Sequence, residues 1–594
     1  MAIDILSTSF INSLVGSYTY NETQKVVSPL QNKKSKYQNL SSAYSTFSTK
    51  LSSLKTVLTN LKLTGTDSLF NKNSTTTSNS SFVTATATSS SSNGAYTFRI
   101  NQLAKSDVAI STDVTSATTN SITGTHDFLI KTGDGSTGEF VSNIEVTFTA
   151  SETNQTVMEK IADAINSDKA VIESGTKTAS SSYSDGASSF VIDLNGTETT
   201  ISVTGGGTYE DLINEIVSNI NDNIDGITAE KVLDSPNTGD VSLKLTVNDS
   251  SDYISITHSS GFDLVTDLNI SATKEKGASG IVTASAFSPT STTSQLSITS
   301  KETGVDYRIK DISDSGSSTA LASVGLNLGT TRTVFDQSPD PDTAGFLYSD
   351  ITDTNNQLNS KFDFNGLTLQ RNSNSVSNLV TGVTFKLQSV MQTSDTTVNM
   401  TVVNDVSSIK SSIEDFISKF NDLYTFLREN TKSTLDGRGL LISDTNASSI
   451  LSSLSSISYT QVSGLSAGNL NLLSQIGISF SSSTGLSISD TSQLETKISE
   501  DASQVEALFN STNGIANTLY DKIDPYLGSG GYLALAQSSF ENNISTYDDR
   551  IVSAQKRINK SADNLRTSYE GLQIQLANLL ATQNMLSFIG NSFF

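Results

Sequence analysis

Two stripes of apolar residues at helical spacing stand near opposite ends of this 594-residue chain. The first stripe advances in steps of three and four residues, the spacing of an a/d seam in a coiled helix. Its members are Leu30, Tyr37, Leu40, Tyr44, Phe47, Leu51, Leu54, Leu58 and Leu61. The second stripe repeats every seven residues, which keeps one edge of a supercoiled helix facing a partner. Its members are Ile544, Ile551, Ile558, Leu565, Leu572, Leu579 and Leu586. We expect the two stripes to pair, with the middle of the chain held out as a head.

A third apolar seam begins deep in the chain, after Asp405. Its members are Val406, Ile409, Ile413, Phe416, Phe420, Leu423 and Leu427. Each seam is too apolar to stand alone in water, so we expect the three helices to pack as one bundle. The predicted fold class is therefore α+β and multidomain. Long coiled-coil helices from both termini form a leg bundle, and mainly-β head domains are inserted between them.

Proline and glycine place the predicted ends of the terminal helices. Pro29 predicts the start of the first helix, because proline is tolerated in the first helical turn. Gly65 predicts its end, and Gly528–Gly531 break the chain before the final helix. Residues Met1–Val27 are irregular, and we expect them to be disordered in the free monomer and ordered only with partners.

The middle of the chain contains two similar strand-to-helix units. In one, Thr156–Glu159 predicts a capping box at the start of a helix, and in the other Thr208–Asp211 predicts the same device. The offset of 52 positions between the two threonines suggests a diverged repeat. Asn195-Gly196 predicts a tight hairpin turn within the second unit.

These patterns predict six segments along the chain. Residues 1–28 form a flexible N-terminal segment and 29–70 the N-terminal leg helix. Residues 71–125 and 271–404 form a discontinuous β-rich head domain, and 126–270 an inserted α+β head domain with repeat modules. Residues 405–545 form a helical and hairpin leg domain, and 546–594 the C-terminal helix and tail.

Composition excludes several classes of function. The 60 acidic and 37 basic residues give a net charge of −23, which argues against nucleic-acid and anionic-membrane partners. No cysteine is present, and His126 and His258 have no spaced ligand partners. No G-x-S-x-G elbow and no run of 18 apolar residues occurs. We therefore predict that the protein is not an enzyme, binds no cofactor or metal and does not insert into a membrane. We also predict no cleavable signal peptide, because the first basic residue is Lys25 and no cationic region precedes it.

Short motifs in a fixed order carry a family resemblance. They are Tyr96–Ala104, the Phe190–Asn221 unit, Asn365–Arg371 with Asn374 and Gly382–Leu387, Asn404-Asp405, Phe416-Ile417, Phe420–Leu423, Gly439–Asp444, Gly477-Ile478, Gly485-Leu486, Val505–Phe509 and Tyr569–Gln583. In this order the chain resembles the flagellar hook-associated protein 2 family, the bacterial filament cap. The resemblance covers most of the chain. It is weakest at Met1–Thr23, where the family has a more glycine-rich opening.

The resemblance implies a non-enzymatic assembly protein. It would form a homo-oligomeric ring at the distal tip of the flagellum, outside the cell, after export by the flagellar type III route. It would promote folding and insertion of exported flagellin, next to hook–filament junction proteins and after release from a cytoplasmic chaperone. Candidate filament or chaperone contacts in the sticky C-terminal stretch are Leu586, Phe588, Ile589, Phe593 and Phe594.

Two other interpretations remain open from the sequence. One is a different flagellar axial component, either a hook–filament junction protein or a flagellin. The other is an adhesin whose head domains bind host mucin or glycans, a role that could coexist with capping.

Overall fold

The computed structural model describes residues 7–233, 239–352, 354–434 and 437–591, with the backbone alone for Thr434 and residues 589–591. Helices and sheets are mixed, which confirms the mixed composition predicted for the fold. The helices are α1 (Thr8–Glu22), α2 (Ser28–Leu61), α3 (Asn154–Ser167), α4 (Tyr209–Asn223), α5 (Leu264–Asp267), α6 (Ala278–Ile281), α7 (Val406–Asn430), α8 (Thr445–Ile457), α9 (Thr491–Asn510), α10 (Ile515–Ile523) and α11 (Tyr532–Asn591). The strands are β1 (Asn73–Thr77), β2 (Val83–Ala87), β3 (Gly94–Gln102), β4 (Ser106–Ile110), β5 (Val114–Thr115), β6 (Gly124–Gly133), β7 (Glu139–Phe148), β8 (Val171–Glu173), β9 (Lys177–Thr178), β10 (Ser188–Leu194), β11 (Thr197–Val203), β12 (Ile227–Leu233), β13 (Asp240–Val247), β14 (Tyr253–Ser260), β15 (Lys274–Lys276), β16 (Val282–Phe287), β17 (Thr293–Thr303), β18 (Ile309–Asp314), β19 (Gly345–Phe346), β20 (Ser360–Phe364), β21 (Leu367–Arg371), β22 (Ser375–Val380), β23 (Val383–Leu387), β24 (Val398–Asn404), β25 (Ser433–Thr434), β26 (Gly437–Arg438), β27 (Ile478–Ser481) and β28 (Gly485–Ile488).

The chain divides into two compact units. Unit 1 comprises Met1–Ser74, Ala87–Asn93 and Val402–Phe594, and contains α1, α2 and α7–α11. Unit 2 comprises Thr75–Thr86 and Gly94–Thr401, and contains most of the strands.

The main apolar core of unit 1 is built on α2 and α7, and smaller clusters lie along α11. Phe47, Leu51 and Leu54 of α2 are fully buried with Phe416 and Phe420 of α7. Helices α8, α9 and α10 and the hairpin β27–β28 add their apolar faces to the same core. The sequence analysis did not predict α8, whose N-cap Asp444 accepts a hydrogen bond from the Ala447 N–H.

The N-terminal segment differs from the prediction. Helix α1 already begins at Thr8, so the expectation of disorder up to Val27 is wrong within the described residues. A π-helical turn, Thr23–Val27, joins α1 to α2, and Pro29 lies just inside α2. Proline has no N–H and its ring clashes with the carbonyl four residues earlier, so a wider turn lets the helix continue past it. Pro29 therefore marks an irregularity within a longer helical segment.

Unit 2 contains two copies of one topology, the second nested inside the first. The outer module comprises residues 106–167 and 278–328, and the inner module residues 170–270. Each module begins with a short strand and continues with a hairpin, a helix and a second hairpin. A further strand then pairs with the first strand of the first hairpin: β18 with β6, and β14 with β10. In both, the short strand pairs with the last strand of the second hairpin: β4 with β17, and β8 with β13.

Matched hydrogen bonds align the two modules at the start and near the end of their helices. Thr153 caps α3 and Thr208 caps α4, and both threonines form an isolated bridge to the segment before the first hairpin. Thirteen residues after each cap, an asparagine side chain pairs with the backbone of one alanine: Asn166 with Ala284 and Asn221 with Ala229.

These caps test the predicted repeat. The capping box at Thr208–Asp211 is confirmed, with the side chain of each residue bonded to the backbone of the other. The predicted box at Thr156–Glu159 is wrong, because Thr153 is the N-cap and accepts from the Thr156 N–H. The offset between the two helix starts is therefore 55 positions rather than 52. The hairpin turn at Asn195-Gly196 is confirmed, with positive φ angles of 54° and 83°.

The nested arrangement has a junction where the chain leaves and re-enters the outer module. Asp168 follows α3, and its carboxylate accepts the Ala278 N–H at 2.7 Å. Ser279 Oγ donates to the Asp168 carbonyl oxygen at 2.5 Å. One seven-stranded sheet, ordered β11-β10-β14-β15-β7-β6-β18, continues across both modules.

Candidate assembly surface

The terminal helices of unit 1 run antiparallel along one another. Tyr37 of α2 stacks on Tyr547 of α11 with ring centroids 5.7 Å apart, and Lys34 Nζ lies 2.6 Å from Asp548 Oδ1. Further along, Val27 packs on Ile558, and Val15 of α1 packs on Ala562. Along these contacts the residue number falls from 37 to 15 in α2 and α1 while it rises from 547 to 562 in α11, so the helices are antiparallel.

The predicted seam residues lie at different depths in this arrangement. In α2, Leu30, Tyr37 and Leu40 are half-buried, and the remaining members are buried: Tyr44, Phe47, Leu51, Leu54, Leu58 and Leu61. In α7, Val406 is half-buried, and the other six members are buried: Ile409, Ile413, Phe416, Phe420, Leu423 and Leu427. The structure thus brings the first and third seams into one core.

The stripe on α11 changes character along its length. Ile558 is 4% exposed, and Ile551 and Leu565 are half-buried against α1 and α2. The α1–α11 apolar cluster reaches as far as Tyr569. Beyond it, the same stripe becomes exposed at Leu572 (49%), Leu579 (67%) and Leu586 (65%). The antiparallel register accounts for the change: α1 begins at Thr8, so α11 extends beyond it.

We name residues 571–588 of α11 the distal segment. It contains no charged residue, and its exposed apolar side chains also include Ile574, Met585 and Phe588. At about 1.5 Å per residue, three unpaired positions of a heptad stripe span about 21 Å. A stripe of this kind fits an apolar helix face on a partner.

The paired part of α11 is basic on its surface, a feature that the sequence analysis missed. Residues 22–36 and 548–566 together contain nine basic and four acidic residues. Seven exposed cations of this stretch have no carboxylate within ion-pair distance among the described residues: Lys33, Lys36, Arg550, Lys556, Arg557, Lys560 and Arg566. We name this set the basic belt. Within a chain of net charge −23 it is a local positive surface that favours an acidic partner.

Two contacts fix the position of α2 relative to its neighbours. The Tyr44 hydroxyl donates a short hydrogen bond to Asp444, the N-cap of α8. Burial and the Asp444 carboxylate raise the pKa of Tyr44, so its hydroxyl stays protonated. The Tyr44 ring also meets Phe540 of α11 edge-on, with centroids 5.0 Å apart. Phe540 and Tyr547 lie off the stripe from Ile544 to Leu586, but each stands four residues before a stripe member. Their spacing of seven and their aromatic character were the sequence features that could have revealed this contact.

The candidate C-terminal contact residues have separate outcomes. Leu586 and Phe588 are exposed on the distal segment. Ile589, Phe593 and Phe594 lie outside the described side chains. Within the described ranges no three His, Asp or Glu side chains are grouped so that they could hold a metal ion. None of the helices in those ranges has the length and apolarity of a membrane span.

Two family models match the chain at its ends. The model "Flagellar hook-associated protein 2 N-terminus" matches residues 7–107, and "Flagellar hook-associated protein 2 C-terminus" matches residues 358–579. Together they cover more than half of the chain. The chain belongs to the flagellar hook-associated protein 2 family. The exposed part of the stripe therefore lies in a segment that the C-terminal family model covers as far as Leu579.

Curated relatives of the family are distant in sequence. The B-type flagellar hook-associated protein 2 of Pseudomonas aeruginosa is 25% identical over 302 residues, covering 50% of this chain and 60% of that protein. The A-type protein of the same species is 23% identical over 359 residues, covering 59% of this chain and 71% of that protein. The match with the B-type protein thus spans less than two thirds of its length.

One solved structure from a comparison of folds is also distant in sequence. The crystal structure of the D1-D2-D3 domains of the flagellar cap protein FliD from Escherichia coli is 20% identical. The alignment covers 84% of this chain and 99% of the Escherichia coli chain, with a TM-score of 0.42.

Proposed function

We propose that this protein caps the flagellar filament and contacts filament subunits through the leucine stripe of the distal segment, which comprises Leu572, Leu579 and Leu586 of α11. Family membership supports the cap role. The observation that carries the contact is the heptad stripe that continues, exposed and uncharged, beyond the end of its pairing with α1. In this proposal the protein forms a homo-oligomeric ring at the distal tip, outside the cell, after export by the flagellar type III route.

The proposed mechanism is physical, with no bond chemistry. Exported flagellin folds under the ring while leg contacts hold the cap and exchange as each subunit inserts. An exposed stripe of single leucines suits this role, because each modest contact can break separately while the others hold. The basic belt next to the stripe would speed capture of an acidic surface and orient it. Hook–filament junction proteins would occupy the same position before the first flagellin arrives.

Complementation of a deletion strain tests the contact. The triple variant Leu572→Ser, Leu579→Ser and Leu586→Ser should leave flagellin secreted as monomers, with few filaments visible by electron microscopy. The matched control, Ile574→Ser, Ala577→Ser and Ala581→Ser, changes exposed residues on the opposite face of α11 and should restore filaments. Normal filaments with the stripe variant would contradict the proposal.

Electron microscopy of the purified protein tests the ring. Closed rings or stacked plates are expected, whereas a polymerising tube would indicate a flagellin. A chaperone that covers the C-terminal stretch before export is the remaining proposed partner. Truncation after Leu580 should abolish binding of that chaperone, and binding that stays intact would refute this assignment.

A further inference from the structure

The sheet β16-β17-β4-β19 of unit 2 has a buried face and an outer face. Ala109 of β4, Ile298 of β17 and Phe346 of β19 stand opposite one another and belong to the buried core of the outer module. Side chains alternate between the two faces of a strand. Ile110 and Leu347, the next residues along the chain from Ala109 and Phe346, therefore lie on the outer face.

The outer face of this sheet carries an apolar groove of about 740 Å³, which we name the acidic-rimmed groove. Phe287, at the end of β16, is 39% exposed and Leu347 is 48% exposed. Large apolar side chains that share one exposed groove mark a surface for a partner. Five apolar residues line the groove: Ile110, Phe287, Pro289, Phe335 and Leu347.

The backbone fixes one wall of the groove. The Phe335 N–H donates to the Phe346 carbonyl oxygen at 3.1 Å, so the segment 333–336 extends the sheet beyond β19. This segment crosses close to Gly345, where an added Cβ would stand 2.6 Å from the Phe335 nitrogen. Glycine at position 345 is therefore required for Phe335 to lie where it does, and the wall is a built part of the fold.

Four carboxylates surround one end of the groove: Asp113, Asp336, Asp340 and Asp342. Gln295, which is buried in the groove floor, donates Nε2 to Asp342 Oδ2 at 2.7 Å. The Asp342 N–H in turn donates to Asp113 Oδ1 at 2.7 Å. Burial raises the pKa of Asp342, and the three other carboxylates add to the shift. A cation placed among these groups would relieve their mutual repulsion.

The chain supplies no such cation. The three segments that form the groove, residues 108–118, 284–297 and 333–347, contain no lysine, arginine or histidine. Arg332 stands just before the third segment, but its guanidinium pairs with the buried carboxylate of Asp107. A surface with this charge repels another acidic surface and favours a basic one.

The shape and the charge of the groove together select the class of partner. Protein interfaces place bulky apolar anchors in pockets, with polar and charged groups around the rim. We propose that the acidic-rimmed groove docks a segment of a partner protein in which bulky apolar side chains are flanked by lysine or arginine. This interaction goes beyond the cap role and does not depend on it.

Fluorescence anisotropy with three labelled peptides and the full chain tests the docking site. The first peptide has two leucines flanked on each side by two lysines. The second has glutamates in place of the lysines, and the third has serines in place of the leucines. The first peptide should bind, and each of the other two should bind at least about tenfold more weakly, because each lacks one of the two complementary features.

Substitutions on the surface of the groove locate the binding. Phe287→Ser and Leu347→Ser should each weaken binding of the first peptide about tenfold, since each removes a large apolar contact. Asp336→Asn and Asp340→Asn should each weaken it about two- to fivefold at low salt and less at high salt. Leu367→Ser, at an exposed position elsewhere in unit 2, is the matched control and should leave the affinity unchanged. Circular dichroism establishes that each variant is folded.

Four results would overturn the proposal. The first is no binding of the leucine–lysine peptide. The second is equal affinity for the serine–lysine peptide, which would show attraction by net charge alone. The third is binding that Phe287→Ser and Leu347→Ser leave unchanged. The fourth comes from sedimentation velocity without peptide: an assembly that Leu347→Ser dissolves would make the groove an interface between copies of this chain.

Discussion

Unit 1 and unit 2 differ in charge and in the way they expose apolar side chains. Unit 2 has 38 acidic and 17 basic residues, a net charge of −21, whereas unit 1 has 22 and 20, a net charge of −2. Large exposed apolar residues in unit 2 are spread over several elements, but six of those in unit 1 lie between Leu572 and Phe588. Like charge keeps unit 2 surfaces apart, and a cluster of exposed apolar side chains favours association. The comparison supports the proposal that the assembly contacts lie in unit 1.

The interiors differ as well. Unit 2 contains a buried ion pair, in which Arg332 Nη2 lies 2.5 Å from Asp107 Oδ1 and Nη1 lies 2.9 Å from Oδ2. Asp107 is completely buried and also accepts the Ile309 N–H. In the inner module the strand register puts Ala170 at the position of Asp107. Unit 1 instead relies on apolar seams.

Breaking the buried pair should have the largest effect on stability. Asp107→Ala leaves Arg332 buried without a counter-charge, which costs about 3–5 kcal/mol of unfolding free energy in unit 2. Adding Arg332→Met removes the orphan charge and should recover much of the loss. Chemical denaturation measures both variants, with hydrogen exchange of β4 and β17 to assign the transition. A loss below about 1 kcal/mol for Asp107→Ala would contradict the account.

Two alanine substitutions on α11 should sharpen the contrast between its paired part and its distal segment. Ile558→Ala creates a cavity beneath Val27 and should destabilise the helix pair by about 2–5 kcal/mol. Leu579→Ala removes a side chain that is 67% exposed and should change stability by less than about 0.5 kcal/mol. Hydrogen exchange of α1 and α11 distinguishes the two. Equal losses would mean that the distal segment is packed in solution.

The junction of the two modules should make unit 2 sensitive to pH. Burial raises the pKa of Asp168 from 3.8 to about 7, and the neighbouring Glu275 carboxylate adds to the shift. The folded state holds this proton more tightly than the unfolded chain, so the stabilising contribution is lost as pH rises through about 7. Thermal unfolding should therefore occur at lower temperature at pH 8 than at pH 6.

Asparagine at position 168 should remove the part of this dependence that comes from Asp168. Glu275, whose pKa burial also raises, is unchanged in this variant. Asp168→Asn keeps an oxygen for the Ala278 N–H without the charge, so the variant should unfold at higher temperature than the native chain at pH 8. Asp163→Asn, an exposed neighbour on α3, serves as the control and should follow the native profile. A native profile for Asp168→Asn would show that the buried carboxyl does not control the junction.

The smallest effect is expected at the surface pair of Lys34 and Asp548. Both side chains are partly exposed, so removing either should cost about 0–1 kcal/mol, and less in high salt. A double-mutant cycle with Lys34→Ala and Asp548→Ala measures the coupling. A coupling well above 1 kcal/mol would show that this ion pair, rather than the apolar seam, holds α2 against α11.

Several features of the fold were predictable because they depend on local chemistry. The three seams follow from helical periodicity, and the turn at Asn195-Gly196 follows from the preference of these residues for positive φ. The helical segment before Pro29, which begins with α1, was not predictable. Proline has the same local preference at a helix start as just after the π-helical turn, so Pro29 was interpreted as the start of the first helix. The cap at Thr153 was mistaken for Thr156, since both threonines precede an apolar helix face.

Long-range arrangement accounts for what the sequence could not reveal. Insertion of the inner module separates Asn166 from Ala284 by 118 positions, whereas Asn221 and Ala229 are eight apart. The repeat is therefore hidden in a linear comparison. The heptad stripe of α11 is equally regular at Ile558 and Leu579. Only its register with the N-terminal helical segment, from α1 through the π-helical turn into α2, decides which residue is buried and which is exposed.

Photo-crosslinking on intact flagella tests the central claim most directly. A photoreactive phenylalanine analogue at position 579 lies on the exposed stripe, and the same group at position 577 lies off it. The account predicts a covalent adduct between this chain and the filament subunit from position 579 and little from position 577. Adducts from position 579 that form only within the same chain would contradict it.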